Sequence, residues 1–303
     1  MLPTCSVSRV TDMQKPIVSV YIPTHNRLHL LKRAIESVQF QSYEPIELIV
    51  VDDGSTDETQ EYLKQLEAEG SLMFLRNETP MGACHARNRA LGIANGEFIT
   101  GLDDDDALQP ERIMRLVTFF MQGNYSCVTS SIAEHTQSGR IGRPYDTGLI
   151  SLSRLLHNNL LGNQVLTKTS NLRDIGGFDE NMPAFQDYDT WVRLVARFGP
   201  AYKLPELDYI WYTDHESERI SQSPEKRLRA LQRFVDKHGH LMNASHRKSM
   251  RLMRYKLSGE RFTLRAFFST VNWRNKKSAM LLYLHQNLPM VKRCLNYLRT
   301  RAG

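Results

Sequence analysis

The N-terminal third of the chain alternates between short apolar runs rich in β-branched residues and longer segments with helical periodicity. The runs that predict buried strands are 17–22, 46–51, 72–75 and 97–102. The segments that predict helices between them are 28–41, 56–69 and 82–94. Strands and helices that alternate with short connections are typical of a parallel sheet covered by helices, which places this part of the chain in the α/β class.

Polar clusters follow three of these predicted strands, at the point where each strand ends. Thr24-His25-Asn26-Arg27 follows the first strand, Asp52-Asp53 ends the second, and Asp103 to Asp106 follow the fourth. Ligands of open α/β sheets bind outside the carboxyl ends of the strands. We therefore expect the three clusters to meet at one edge of the sheet and to form the functional site.

The run of four consecutive aspartates, Asp103 to Asp106, is the most unusual of these clusters. Carboxylates a few Å apart repel one another and raise one another's pKa. A divalent cation would offset that repulsion, and Mg²⁺ and Mn²⁺ both prefer carboxylate and phosphate oxygens. The run therefore indicates a metal site, with a solvated acidic turn as the alternative.

Beyond residue 109 the pattern is looser, but the domain organisation can still be predicted. Further helices are expected at 110–121, 151–159 and 186–198, and further strands at 128–132 and 163–168. From about residue 226 onward the chain looks helical throughout. We expect a loose lead-in over residues 1–15, an α/β domain over 16–225, and a basic helical region over 226–303.

Charge is distributed unevenly along the chain. Residues 245–303 contain 14 Lys and Arg against one acid, Glu260, so this segment carries +13 while the rest of the +6 chain carries −7. A basic tail on an acidic body indicates an anionic partner, either nucleic acid or a membrane surface. The alternative is a solvated basic helical face that has no partner.

Cysteine usage and hydropathy bear on the compartment. The four cysteines are far apart and form no C-x-x-C pair, so neither a zinc site nor a disulfide framework is indicated, and a reduced compartment fits. The N-terminus shows no apolar signal-peptide segment, and no apolar run reaches the about 18 residues of a membrane span. We therefore expect a cytoplasmic protein, peripheral to the membrane if the tail binds it.

Six segments of the chain resemble family 2 glycosyltransferases of the GT-A fold, and they occur in the order found in that family. They are VSVYIPTHNR (18–27), IELIVVDDGSTDET (46–59), MGACHARNRAL (81–91), GEFITGLDDDD (96–106), GGFDE (176–180) and QDYDTWVR (186–193). The resemblance covers roughly residues 16–220. It implies a Rossmann-like mixed sheet flanked by helices. The basic helical region that follows lies outside the resemblance and is predicted from the sequence pattern alone.

The resemblance also implies which residues bind the nucleotide. Asp53 would accept a hydrogen bond from the uracil, and Pro23, Thr24 and Arg27 would surround the nucleoside. Arg87 would contact the nucleotide or the sugar. Three of these residues have a plain alternative: Asp53 and Thr24 as turn residues, and Arg87 as an arginine on a helix surface.

The resemblance further implies the metal site and the catalytic base. Asp105 would hold Mn²⁺ or Mg²⁺, Asp104 would contact the sugar or ribose, and Asp103 is a further donor-site candidate because the register of the run is ambiguous. Asp187, preceded here by Gln rather than the usual Glu, would be the catalytic base, with a helix N-cap as the alternative. His215 is a second candidate for the metal shell, with an ordinary surface or packed histidine as its alternative.

Taken together, the residues and the resemblance predict an inverting glycosyltransferase. Its donor would be a UDP-sugar, and its acceptor a lipid-linked or growing surface glycan of the O-antigen, capsule or lipopolysaccharide type. A nucleic-acid-binding protein is one alternative, but the body is acidic and no recognised nucleic-acid motif appears, so no nucleic-acid partner is expected. A nucleotidyltransferase is another, and it would normally carry a Gly-rich loop where this chain has residues 23–27.

Overall fold

The computed structural model of the chain describes residues 15–136, 139–142, 145–213 and 223–288. The strands are β1 (Val18–Thr24), β2 (Ile46–Asp52), β3 (Met73–Arg76), β4 (Phe98–Gly101), β5 (Ala107–Leu108), β6 (Val128–Thr136), β7 (Gly139–Ile141), β8 (Gly148–Ile150), β9 (Thr167–Lys168) and β10 (Ala201–Tyr212). The helices are α1 (Leu28–Gln39), α2 (Thr59–Ala68), α3 (Ala83–Ile93), α4 (Arg112–Phe120), α5 (Leu152–Leu155), α6 (Thr169–Asp174), α7 (Gln186–Phe198), α8 (Pro224–His238), α9 (Ala244–Ser258), α10 (Leu264–Thr270) and α11 (Lys276–Asn287). Among these residues, no helix is both long enough and apolar enough to cross a membrane.

The first sheet has the strand order β3-β2-β1-β4-β9. Its first four strands are parallel, and β9 runs antiparallel to β4. The predicted alternation of strand and helix, and with it the α/β fold class, is confirmed. The predicted strand at 163–168 is shorter than expected, because only Thr167 and Lys168 pair with β4.

Both faces of the first sheet are buried, and the period-two alternation of strand side chains explains how. In β1, Val18, Val20 and Ile22 belong to an apolar cluster shared with α1 and α4. Tyr21 points to the opposite face and belongs to a cluster shared with α3 and α7. Successive strand side chains point to opposite faces, so an apolar run of this kind is covered by helices on both sides.

A second, mixed sheet has the strand order β5-β10-β6-β7. Strand β5 pairs near the end of β10, and β8 pairs with its start. The long strand β10 was not predicted. It contains Pro205, and its register against β6 shifts between Leu204 and Leu207 and again between Leu207 and Tyr209. Because Pro205 and several polar residues interrupt β10, its sequence shows no regular alternation of apolar and polar side chains. The predicted helix at 151–159 is also wrong in length, because α5 ends at Leu155.

A buried polar cluster joins α4 to the second sheet. Arg112 donates a hydrogen bond to Asp208 at 2.7 Å and another to Ser130, and all three side chains are buried. Removing one partner of a buried ion pair leaves an uncompensated buried charge, which is strongly destabilising, so the pair ties α4 to β10. This cluster therefore sets the position of β10, which carries the neighbouring residue Tyr209 to the site described below.

The first two helices of the C-terminal region pack on the α/β body. Leu231 and Phe234 of α8 and Met250 of α9 belong to the same apolar cluster as α3 and α7. The ring of Phe234 stacks on Tyr188 of α7 with the ring centroids 4.2 Å apart. Helices α10 and α11 pack with α9 in a small separate apolar cluster. Phe262, in the loop after α9, belongs to this cluster.

An ion cluster reinforces the contact between α7 and α8. Asp189, which is fully buried, accepts hydrogen bonds from Arg193, Lys237 and His238 at 2.9, 3.1 and 2.8 Å. Burial alone would raise the pKa of Asp189, but the hydrogen bond from His238 and the charges of Arg193 and Lys237 lower that pKa to about 2. The carboxylate is therefore ionised near neutral pH and holds the start of α7 against α8.

Candidate active site

The ends of β1, β2 and β4 meet at one edge of the first sheet, as the sequence predicts. Thr24 lies opposite Asp52 in the register of β1 and β2, with Pro23 one step earlier. The Asp53 N–H donates to the Thr24 carbonyl at 2.8 Å. The Thr24 hydroxyl donates to Asp104 at 2.8 Å, which brings the aspartate run to the same edge.

Asp104 and Asp105 both lie beside Arg27, which follows β1. The Arg27 guanidinium is 3.2 Å from the Asp104 carboxylate and 3.5 Å from that of Asp105. Burial raises the pKa of Asp104 to about 6, an effect that Arg27 opposes and Asp105 increases. The positive charge of Arg27 therefore offsets part of the repulsion between these two carboxylates.

Asp106 faces the interior of the protein rather than the edge of the sheet. Its carboxylate accepts a hydrogen bond from the Tyr209 hydroxyl at 2.8 Å and one from the Tyr212 N–H at 3.2 Å. Burial raises its pKa well above the ordinary value, and the charges of Asp103 and Asp105 add to this. Asp106 therefore links the aspartate run to β10, and it is the member least able to reach a ligand.

Asp103 is paired with Arg87, which lies on α3. The guanidinium donates to the Asp103 carboxylate at 2.9 Å, and its other terminal nitrogen lies 4.0 Å from the Asp187 carboxylate. Gln164 donates a further hydrogen bond to Asp103 at 3.0 Å. Arg87 is therefore buried between two carboxylates, and the alternative of an arginine exposed on the helix surface is wrong.

Gln164 was not singled out from the sequence, and its position depends on a glycine. It accepts a hydrogen bond from the Tyr21 hydroxyl at 2.9 Å while donating to Asp103. A Cβ atom at Gly101 would lie 2.3 Å from both the Gln164 side-chain oxygen and the Tyr21 ring. No local motif marks Gln164, because it reaches the site from a loop distant in sequence.

Asp187 is the second residue of α7, where it reaches the same group of side chains. Phe185 occupies the N-cap position with a φ of 61°, so the N-cap alternative for Asp187 is wrong. The Asp187 side chain is 28% exposed. Burial raises the pKa of this carboxyl to about 6, with Arg87 opposing and Asp103 adding to the shift. A partly accessible carboxylate with a raised pKa is suited to accept a proton.

Asp53 holds the loop that connects β3 to α3. Its carboxylate accepts hydrogen bonds from the Asn77 side chain at 2.6 Å and from the N–H groups of Met81 and Gly82 at 2.8 and 2.7 Å. An ionised carboxylate has about four acceptor positions, so about one remains for a ligand. The arrangement is compatible with the predicted contact to a uracil, which stays a prediction.

The aspartate run fits a divalent cation that completes its shell with ligand oxygens. Among the described residues, no three His, Cys, Asp or Glu side chains converge on one point. Mg²⁺ is commonly held by only one or two carboxylates together with substrate phosphates, so a complete protein cage is not required. The Asp105 side chain is 12% exposed at the sheet edge and offers an oxygen ligand of the right type. His215 lies outside the described residues.

Comparison with known proteins agrees with this geometry. The profile of Glycosyl transferase family 2 matches residues 19–176, more than half of the chain. The chain belongs to glycosyl transferase family 2. This glycosyltransferase is 32% identical to the putative colanic acid biosynthesis glycosyl transferase WcaA of Escherichia coli K12, over 86% of this chain and 95% of WcaA. The nucleotidyltransferase alternative is therefore wrong.

A second relative carries a more detailed name. UDP-Glc:alpha-D-GlcNAc-diphosphoundecaprenol beta-1,3-glucosyltransferase WfgD of Escherichia coli is 29% identical, over 60% of the family 2 chain described here and 71% of WfgD.

Two solved structures share the GT-A fold of this family 2 enzyme. Staphylococcus aureus TarS 1–349 in complex with UDP-GlcNAc has a TM-score of 0.64 at 19% identity, covering 89% of this chain and 81% of that chain. The mannosyltransferase PcManGT of Pyrobaculum calidifontis, in complex with GDP-Man and Mn²⁺, has a TM-score of 0.55 at 18% identity, covering 96% of this chain and 82% of that chain. The predicted fold is therefore confirmed.

Proposed function

We propose that this enzyme transfers a sugar from a UDP-sugar to an acceptor hydroxyl, with inversion at C1 and with a divalent metal ion. The observation that carries the proposal is the contact series Asp103–Arg87–Asp187, with distances of 2.9 and 4.0 Å, at the sheet edge where the aspartate run lies. It combines a candidate metal site, a cation for the donor and a candidate base in one place.

Uracil recognition would come from Asp53. The carboxylate is an acceptor only, which suits the imide N–H of uracil, and about one acceptor position remains beside its three hydrogen bonds. The name of WfgD contains UDP-Glc, and the TarS structure is a complex with UDP-GlcNAc. Both support a UDP-sugar as the donor of this enzyme. Pro23, Thr24 and Arg27 lie at the neighbouring strand end, where they would surround the nucleoside.

In the proposed reaction, the acceptor hydroxyl oxygen attacks C1 of the sugar and its proton passes to the Asp187 carboxylate. The bond from C1 to the diphosphate oxygen breaks, and its electron pair leaves with the nucleoside diphosphate. A single displacement with the base opposite the leaving group inverts the configuration. A metal ion bound by Asp105 would neutralise charge on the diphosphate, as Mn²⁺ or Mg²⁺ does in such sites. Arg87 lies beside Asp187 and would contact the donor.

The activity of the enzyme should fall at acid pH. Asp187 must be ionised to accept a proton, and burial raises its pKa to about 6. We therefore expect kcat/KM to decrease about tenfold per pH unit below that value and to level off above it. A pH profile of kcat/KM between 4.5 and 8, recorded in buffers of constant ionic strength, measures this. A profile that stays flat to pH 4.5 would contradict the role of Asp187.

The acceptor is proposed to be a lipid-linked or growing surface glycan at the cytoplasmic face of the membrane. WcaA and WfgD are named for colanic acid synthesis and for a diphosphoundecaprenol acceptor. Exposed apolar side chains of α10, α11 and the loop between them, among them Leu264, Phe268 and Trp273, stand in a strongly basic segment. Basic residues near an anionic membrane contribute about 1 kcal/mol each. We propose no nucleic-acid partner.

Membrane binding can be tested with a matched pair of exposed aromatic residues. Phe268 in α10 is 65% exposed and Phe40, at the end of α1, is 74% exposed. We expect Phe268→Ser to reduce sedimentation with vesicles that contain phosphatidylglycerol, and Phe40→Ser to leave it unchanged. Equal sedimentation of both variants and the unaltered enzyme would contradict membrane docking through α10.

The reaction itself is tested by measuring UDP release from a panel of UDP-sugars in the presence of a bacterial polyprenyl-linked glycan extract. We expect Mn²⁺- or Mg²⁺-dependent release with one sugar, and a product whose anomeric configuration, read by NMR, is opposite to that of the donor. Retention of configuration would overturn the single-displacement mechanism. Release that is unaffected by a chelator would overturn the metal dependence.

A further inference from the structure

A cavity of about 590 Å³ lies between the α/β body and the C-terminal helices. The body contributes residues from α5 and the segment after it, together with Phe185. The C-terminal region contributes α8, α9 and the start of α11. The cavity is separate from the strand-end site, because none of the aspartates of that site lines it.

The lining of this cavity is strongly basic. Five cationic side chains line it against a single acid, Asp146; the five are Arg154, Arg227, Lys256, Arg274 and Lys276. Arg154 is paired with Asp146 at 3.3 Å. Within the described ranges, the guanidinium groups of Arg227 and Arg274 make no hydrogen bond or ion pair, and the one polar contact of Arg274 is its backbone N–H, which donates to the Asn272 side chain at 2.9 Å. The cavity therefore holds positive charge that the described part of the protein does not neutralise.

The lining of the cavity includes one residue beside the start of α7 and one exposed aromatic residue of the C-terminal region. Phe185 lines it and is two residues before Asp187, so their Cα atoms are at most about 7 Å apart. Trp273 lines it as well and is 80% exposed, with the Lys276 ammonium 3.7 Å from the centre of its ring. The lining thus includes the residue that precedes the helix of the proposed base and, elsewhere, an exposed aromatic side chain.

We propose that this cavity binds the diphosphate group of a polyprenyl-linked acceptor. Arg guanidinium groups match phosphate oxygens with paired hydrogen bonds, which suits Arg227 and Arg274 to this ligand. The lipid would leave past Trp273, and the sugar on the diphosphate would extend toward Asp187. This inference rests on the proposed function, since it names the acceptor of the same transfer.

The test is a titration of the full chain with geranyl diphosphate, carried out by calorimetry with excess UDP and Mn²⁺ present. The double variant Arg227→Ala/Arg274→Ala should bind geranyl diphosphate about tenfold to a hundredfold more weakly, because each charge-assisted contact contributes substantially to affinity. The control Arg251→Ala/Lys277→Ala removes two exposed cations that lie on α9 and α11 outside the cavity lining, and it should bind like the unaltered enzyme. Arg274→Gln alone repeats the test if the double variant does not fold.

The outcomes separate the inference from the proposed function. Equal affinity of the cavity variant, the control variant and the unaltered enzyme would overturn the cavity site. Inorganic diphosphate should bind more weakly than geranyl diphosphate, and equal binding would overturn the lipid-linked ligand. Loss of phosphatidylglycerol vesicle binding in the cavity variant, with unchanged geranyl diphosphate affinity, would also overturn it. If UDP fails to bind while geranyl diphosphate binds at the cavity, the cavity site stands and the UDP-dependent function fails.

Discussion

Asp187→Asn is expected to slow sugar transfer by orders of magnitude while donor binding is retained. The asparagine has nearly the same shape but cannot accept the proton of the acceptor hydroxyl. Positioned general bases contribute about 10²–10⁴-fold to rate, so kcat should fall by that factor. The Asp187 carboxylate lies 4.0 Å from Arg87 and does not cap α7, so we expect the fold to remain intact.

The measurement is steady-state UDP release at saturating donor, together with a UDP titration of the same variant. Asp189→Asn is the matched control, since it makes the same chemical change two residues along the same helix. Asp189 contacts Arg193, Lys237 and His238 rather than the site, so its variant should lose thermal stability but keep most of its kcat below its unfolding midpoint. A kcat for Asp187→Asn within about tenfold of the unaltered enzyme would exclude Asp187 as the base.

Asp105→Asn is expected to remove the metal dependence of donor binding. The substitution leaves one neutral oxygen in place of a carboxylate that lies at the sheet edge with Arg27 3.5 Å away. Changes even to residues that only support a metal ligand cost about 10–100-fold in metal affinity, so loss of a ligand should cost at least about a hundredfold. Titration of UDP with and without Mn²⁺ measures this effect directly.

Asp106→Asn is the control for the register of the aspartate run. Asp106 accepts hydrogen bonds from Tyr209 and Tyr212 in the interior, so its variant should retain the Mn²⁺ dependence of UDP binding even if its stability is lower. The opposite pattern, with Mn²⁺ dependence lost in Asp106→Asn and kept in Asp105→Asn, would mean that the metal site is assigned to the wrong member of the run.

The parts of the fold that depend on local pattern could be predicted from the sequence. Strands β1, β2 and β4 were predicted to within two residues at each end, because buried parallel strands are short apolar runs. Because the carboxyl ends of parallel strands lie at the same edge of a sheet, Thr24, Asp53 and Asp104 could be expected close together.

The second sheet could not be predicted in the same way. Strand β10 includes Pro205 and the buried polar residues Lys203 and Asp208, so it shows neither an apolar run nor a regular alternation. It forms because β6, distant in sequence, supplies a parallel partner, and pairing of that kind leaves no local signal. Tyr209, which donates to Asp106, was missed for that reason.

The roles within the aspartate run also needed the structure. The resemblance implies roles for Asp103, Asp104 and Asp105, which stay predictions, but the sequence does not show which side chains each of the four acids contacts once folded. Asp103 pairs with Arg87, Asp104 and Asp105 lie beside Arg27, and Asp106 faces Tyr209. The partners come from α3, from the end of β1 and from β10, so only the tertiary arrangement distinguishes the four carboxylates.

Thermal unfolding with a panel of nucleotides tests the central claim most directly. The chain is heated with UDP, GDP, dTDP or CMP, each with and without Mn²⁺. A ligand that binds only the folded state at a hundredfold excess over Kd stabilises that state by about 2.7 kcal/mol. We predict that UDP raises the unfolding midpoint, that Mn²⁺ enlarges the shift, and that the other nucleotides have little effect. An unchanged midpoint with every nucleotide, with or without Mn²⁺, would contradict a metal-dependent UDP-sugar site at the end of β4.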